Sequence, residues 1–266
     1  MPSLPTAVGR CVGTVRIRSL ERGDLGTMLH IFSEAIPRAQ LARSIYLAPG
    51  AEAFLTHLLE QPGLNAHEQL WGVELDDNGL VAVAHSRQAG EYHHLNSYAV
   101  LPAFQRRGLG ARMMAHWESL ARSQRLHRLS LDVALENEGA RRHYARFGFM
   151  ERYRINEYRL EGHLDLPDPL GVQREDWPLA QASFQAYGFG RFALVLGPEC
   201  YPVDLRVGDF RLGSSDARLL AALQAIDPVR AILVRTSEPL ENPAWVHTGT
   251  IVHMTKELDD KSTSQG

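Results

Sequence analysis

Apolar residues recur along this chain at spacings that change from one segment to the next, and each change predicts a new element. Residues 14–20 alternate, with Val15, Ile17 and Leu20 apolar, as a half-buried strand does. From Asp24, placed to cap a helix, Leu25, Met28, Leu29, Phe32 and Ile36 follow at helical spacing. Phe54, Leu55, Leu58 and Leu59 predict a second helix over 51–60, stopped by Gln61-Pro62-Gly63. Strands are then expected at 69–75 and 80–86, joined by the turn residues Asp76-Asp77-Asn78-Gly79, and at 92–100. Leu109, Met113, Trp117 and Leu120 mark a helix, and Leu129, Leu131 and Val133 another strand. Asn137 opens a helix that Gly148 ends, before a closing strand from Phe149 to Leu160.

Residues 162–171, rich in Gly, Pro and Asp, read as a linker between a domain at 14–161 and a smaller lobe at 172–258. In that lobe the pattern predicts helices at 176–186 and 215–226, and strands near 192–196, 203–212, 230–236 and 246–256. The order echoes the first half, and a degenerate repeat stands beside an unrelated appendage as its explanation. The polar tail, 259–266, is expected to lack fixed structure.

Composition narrows the classes. With 44% hydrophobic and 22% charged residues and a net charge of −3, the chain reads as an ordinary globular protein with no global pull toward nucleic acid or an anionic membrane. Charge is uneven: residues 1–161 carry 19 Arg and no Lys against 17 acids, whereas residues 162–266 carry 9 basic residues against 14 acids. The first half therefore tolerates an anionic ligand better. Cys11 and Cys200 are too few for a disulfide framework. No basic-then-apolar leader and no membrane-length apolar run is read, so a cytoplasmic location is expected.

The chemistry centres on Leu95–Gly110. Pro102 marks a strand's exit, and Gly108 and Gly110 let backbone approach a ligand at the start of a helix, where unpaired N–H groups and the dipole favour a phosphate. There is no P-loop ending, and Met113 stands where a dinucleotide fingerprint needs its third glycine. An ordinary strand-turn-helix packed on glycine is the plain alternative. The stretch resembles the acetyl-CoA loop of the GNAT-type N-acetyltransferases, whose Gln/Arg-x-x-Gly-x-Gly/Ala pattern is met by Gln105, Gly108 and Gly110. A second segment, Asn137 to Phe149, resembles that family's Asn-x-x-Ala-x-x-x-Tyr-x-x-x-Gly-Phe through Asn137, Ala140, Tyr144, Gly148 and Phe149.

The resemblance covers about 14–161 and implies a mixed α/β fold, its largely antiparallel sheet flanked by helices, with CoA in a gap between two splayed strands. It implies that the backbone from Arg106, Arg107, Gly108, Leu109 and Gly110 to Ala111 holds a pyrophosphate, and that the main chain of Tyr98, Ala99 and Val100 pairs with the pantetheine arm. Tyr144 becomes the candidate proton donor to the CoA sulfur, against a plain core tyrosine. Asn137 bonds the cofactor or only caps its helix. Arg141, Arg142 and Arg146 flank this segment, for the CoA phosphates or for solvent. For a base, His94 shares strand parity with Asn96 and Tyr98, against a merely packed histidine; the pair His93 and His94 lacks a third metal ligand at a standard spacing, so no metal is expected.

The implied activity is acetyl transfer from acetyl-CoA, a co-substrate, to a primary amine by direct attack in a ternary complex. The amine belongs to a small metabolite, an amino acid, an aminoglycoside-like drug or a protein N-terminus, and faces the loop 39–49. An acyl-CoA-binding sensor without turnover is the alternative. No nucleic acid or membrane partner is expected, and the assembly is a monomer or homodimer.

Overall fold

The computed structural model describes residues 14–258 apart from 62, 64 and 163. The expectations for Cys11 and for the tail 259–266 lie outside the described residues. The first half contains β1 (Val15–Ser19), α1 (Leu25–Ala35), α2 (Arg38–Leu41), α3 (Ala51–Glu60), β2 (Glu68–Leu75), β3 (Gly79–Ala89), β4 (Tyr92–Val100), α4 (Leu109–Ser123), β5 (Arg128–Ala134), α5 (Glu138–Arg146) and β6 (Met150–Leu160). The second half continues with β7 (Val172–Glu175), α6 (Trp177–Tyr187), β8 (Phe189–Leu196), β9 (Glu199–Arg206), β10 (Asp209–Leu212), α7 (Ala217–Ile226), β11 (Ala231–Thr236) and β12 (Trp245–Glu257).

The expected mixed α/β fold is the one observed. Differences from the sequence reading are local. The stretch 203–212 is two strands, because the chain turns at Val207-Gly208 and β10 folds back antiparallel on β9. The short α2 and the edge strand β7 carry too few periodic residues to register as elements. Asp24 does not bond into α1; its carboxylate instead accepts from the Glu21 N–H at 2.8 Å and from the Arg18 guanidinium at 2.6 and 2.9 Å.

The twelve strands of the described residues join in one sheet, in the order β1-β2-β3-β4-β5-β12-β6-β11-β10-β9-β8-β7. The exchange at its centre ties the halves together. β12, from the chain's far end, lies antiparallel between β5 and β6, while β6 lies between β12 and β11. The sheet therefore does not divide where the chain was divided, at 162–171. That stretch leaves the sheet pinned, with the Glu161 and Gly162 N–H groups both 3.0 Å from the Ala244 carbonyl.

Two apolar layers cover the first half. On one face α4 and α5 bury Leu109, Met113, Trp117 and Tyr144 against Leu95, Leu129, Leu131 and Val133, joined there by Val252, Met254 and Leu258 from the β12 segment. On the other face α1 and α3 pack Met28, Ile31, Phe32 and Leu55 over Leu70, Val83 and Ala99. A third cluster fills the second half, around Phe192, Phe210, Leu219, Leu223 and Val234. Among the described residues, no helix is long and apolar enough to cross a membrane.

Candidate functional site

β4 and β5 run parallel, joined by the crossover helix α4, but they pair only from Tyr92↔Arg128 to Leu95↔Leu131. Beyond that point β4 continues to Val100 and β5 to Ala134 without pairing to each other, and the sheet opens. A cavity of about 1100 Å³ occupies the opening, bounded by the ends of both strands, the start of α4, one face of α5 and the segment around α2.

The loop into α4 is shaped by two residues of positive φ, Arg106 at 59° and Gly108 at 81°. Glycine takes that conformation at no steric cost. Gly108 is the N-cap, and no side chain caps the helix. The first-turn N–H groups and the positive end of the dipole are thus left for a ligand. Arg106, Gly108, Leu109, Gly110 and Ala111 all line the cavity, as do Tyr98, Ala99 and Val100. Gln105 lines it too, and its amide donates to the Val100 carbonyl at 3.0 Å, fastening the loop to the end of β4. Arg107 is absent from the lining; its guanidinium lies 5.1 Å from the centre of the Phe104 ring.

Opposite Gly110 stands His143 of α5, whose buried Nε2 has no hydrogen-bond partner. Burial, with Arg146 nearby, lowers its pKa. A polar atom stranded beside a bare helix start fits a cleft made for a polar, anionic ligand such as acetyl-CoA. Tyr98 stacks on His143 with ring centres 6.2 Å apart, and Tyr144 meets Tyr98 edge-on at 6.1 Å. Tyr144 is buried in the cavity wall, and burial raises its pKa well above the usual phenol value, so it stays protonated. Asn137 caps α5, its Oδ1 accepting from the Ala140 N–H at 3.1 Å, and its amide reaches Gln40 Oε1 at 3.4 Å. Arg146 lines the cavity, whereas Arg141 and Arg142 pair with Glu151 and Glu138.

His94 does not line the cavity. Its expected alignment with Tyr98 rests on an unbroken strand period, and the β3–β4 register shifts between His85↔Ser97 and Ser86↔Leu95, leaving Asn96 as an extra residue. The bulge puts His94 and Tyr98 on opposite faces. His94 Nδ1 lies 3.0 Å from Ser130 Oγ, and burial holds its pKa down to about 4. His93 points the other way, toward Trp117, so the two rings do not converge. Among the described residues, no group of three His, Cys, Asp or Glu is arranged to hold a metal ion.

Sequence reasoning missed the polar groups on the cavity's other side. Among the described residues, Asp132 is the one carboxylate in its lining, on the strand face opposite Leu131 and Val133. Its Oδ1 lies 2.7 Å from Nδ1 of His253, the residue facing it across β12. Burial works against its charge, but the His253 hydrogen bond and the nearby His94 and Arg235 outweigh that and lower its pKa. Arg43, in the loop after α2, and Arg235, on β11, line the same side. Both hold the buried Glu157 of β6. No motif announces these residues, since they meet only through the β12–β6 exchange.

The second half repeats the strand-helix-strand unit without the opening. β10 and β11 are parallel and paired along the whole of β10, from Asp209↔Ala231 to Leu212↔Val234. The N-cap of α7, Asp216, accepts the Arg218 N–H at 2.9 Å, so a carboxylate already occupies that helix start.

Residues 36–149 match the model of the Acetyltransferase (GNAT) family. No curated protein matches the chain in sequence. Among solved structures, a tandem GNAT protein from the clavulanic acid biosynthesis pathway superposes with a TM-score of 0.62 at 15% identity, over 93% of this chain and 99% of that one. A GCN5-related N-acetyltransferase from Sphaerobacter thermophilus gives 0.59 at 13% identity, over 92% and 96%. One from Kribbella flavida gives 0.56 at 14%, over 94% and 73%. The fold of nearly the whole chain is therefore shared with these proteins.

Proposed function

We propose that the chain, whose residues 36–149 match the GNAT acetyltransferase family model, transfers the acetyl group of acetyl-CoA, its co-substrate, to a primary amine by direct attack in a ternary complex. The observation that carries this reading is the opening between β4 and β5, with the uncapped start of α4 at its edge and Tyr144 in its wall.

The chain's own groups divide the work. The Gly108–Ala111 backbone receives the pyrophosphate, with Arg106 and Arg146 at the rim. The main chain of Tyr98–Val100, unpaired toward β5, receives the extended arm and orients the thioester. The ammonium of the acceptor is drawn to Asp132, which takes up its proton directly or through water, with His253 behind it. The carbon–sulfur bond breaks as the carbon–nitrogen bond forms, Tyr144 gives its proton to the departing sulfur, and the second proton shed by the attacking nitrogen passes through water to restore the phenol. Asp132 replaces His94 as the base, since it lines the cavity on the acceptor side. Direct attack is favoured because Cys200, the one described cysteine, is exposed on β9 and outside the cavity lining.

A panel of primary amines offered with acetyl-CoA, scored for free CoA, tests the reading. Release above background with any acceptor supports transfer. Tight acetyl-CoA binding with no release across the panel replaces it with the sensor alternative.

A further inference from the structure

We infer that the amine acceptor also carries a carboxylate, and that Arg235 of the second half, with Arg43, is what recognises it. The inference rests on the acetyl-transfer reading and adds the substrate class.

Glu157 faces Arg235 across the β6–β11 pair and is only 1% exposed. Its Oε1 accepts from Arg235 Nε at 2.9 Å and Nη2 at 2.8 Å, while its Oε2 lies 3.1 Å from Arg43 Nε. One buried carboxylate thus holds two guanidinium groups, and the cluster keeps a surplus positive charge. A desolvated charge is costly unless an opposite charge answers it. A structural pair needs one arginine; the second calls for another anion.

The surroundings keep both arginines in place. Arg43 Nη2 donates to the Thr248 carbonyl at 3.0 Å, and Gly249 leaves it room, since a Cβ there would stand 2.2 Å from that nitrogen. Arg211, itself paired with Asp209, braces the loop by donating to the Arg43 carbonyl at 2.8 Å. The remaining acids nearby answer the surplus only in part. Asp132 is engaged by His253, and Glu136, more than half exposed at the rim, reaches Arg43 Nη1 only at 3.7 Å. That Nη1 is buried without a hydrogen bond. Glu157 holds Arg235 by two of its N–H groups, leaving others of a planar fork suited to a carboxylate.

Position decides against a cofactor phosphate as the missing anion. Arg43, Arg235 and Asp132 lie toward the face covered by α1, whereas the start of α4 and the flanking Arg106 serve the opposite side of the opening. On the acceptor side, the cavity lining carries the Asp132 carboxylate together with Arg43 and Arg235, which matches an ammonium and a carboxylate on one small molecule.

The test offers acetyl-CoA with matched pairs, small α- and ω-amino acids beside their own carboxamides, and scores free CoA. At least one acid is expected to exceed its carboxamide by tenfold or more in kcat/KM, through KM. Arg235→Lys and Arg43→Gln are each expected to pull that ratio toward one, with retained acetyl-CoA binding by calorimetry as evidence of folding. Carboxamides turned over as well as the acids overturn the inference while leaving acetyl transfer intact, and so does an unchanged ratio in both folded variants. No release with any pair overturns the inference together with the reading beneath it.

Discussion

Gly110 and His143 face each other across the start of α4: a Cβ on Gly110 would stand 3.2 Å from Cε1 and 3.4 Å from Nε2 of the His143 ring. The glycine thus keeps a narrow space between two helices, next to an imidazole nitrogen with no partner. Filling that space acts on the ligand side of the helix and not on the core, since Leu109, Met113 and Trp117 point away into the sheet.

Gly110→Glu is therefore expected to abolish acetyl-CoA binding by bulk and charge while leaving a folded chain. Calorimetric titration of the parent should saturate at one equivalent per chain, because β10 and β11 stay paired and Asp216 fills the α7 start. Parent-like affinity in the variant, or a second well-behaved equivalent, would refute the cradle as assigned.

Tyr144→Phe removes a hydroxyl and keeps the ring that packs against Phe149 and Tyr98. Turnover should fall roughly 10²-fold, at the lower end for general acid catalysis, with little change in acetyl-CoA affinity. Burial raises the phenol's pKa, so the parent should lose no activity through this group on the alkaline side. Wild-type turnover in the variant would make Tyr144 a core residue.

How far such roles were legible follows from the kind of geometry each needs. The proposed α4 cradle is local: Gln105, Gly108 and Gly110 lie within six residues of one another, so their spacing carries the information. The same holds for Asn137 and Tyr144, two turns apart on one helix. His94 failed because a period-two count cannot see a bulge, and the extra residue Asn96 changes the face of everything after it. Arg43, Glu157 and Arg235 were invisible for another reason. They lie far apart in the chain, and only the strand exchange brings them together.

His93 offers a stability test with a definite sign. It is fully buried against α4, and neither ring nitrogen has a hydrogen-bond partner. Burial, with His94 beside it, pushes its pKa down to about 4, against about 6.5 in an unfolded chain. The unfolded state therefore binds the proton first. Stability is complete above about pH 6.5 and is lost as pH falls toward 4, by as much as about 3 kcal/mol for this group. His93→Phe should keep the volume, raise the urea midpoint at pH 5 and flatten its decline, with His94 supplying the remaining slope. A parent midpoint that is constant from pH 7.5 to 5 would contradict the assignment.

The β12 exchange makes the strongest demand on the second half. Val252 and Met254 are buried in the first half's core, and Leu258 just beyond β12 joins them. Each such side chain contributes about 1.5–3 kcal/mol by leaving water. Removing β12 also strips β5 of its antiparallel partner from Ile251↔Ala134 to Glu257↔Arg128 and leaves that ladder exposed. Against a typical domain stability of about 5–15 kcal/mol, the loss is decisive. A chain ending at residue 244 should therefore show no cooperative thermal transition and bind no acetyl-CoA, although the loop from Gln105 to Gly110 and the helix bearing Tyr144 are both intact in its sequence. Met254→Ala gives a graded version: a loss of about 2–5 kcal/mol, read as a lowered urea midpoint for the transition that acetyl-CoA protects. If the shortened chain instead melts cooperatively and binds acetyl-CoA, the first half closes its own sheet, and the far strand serves the acceptor side alone.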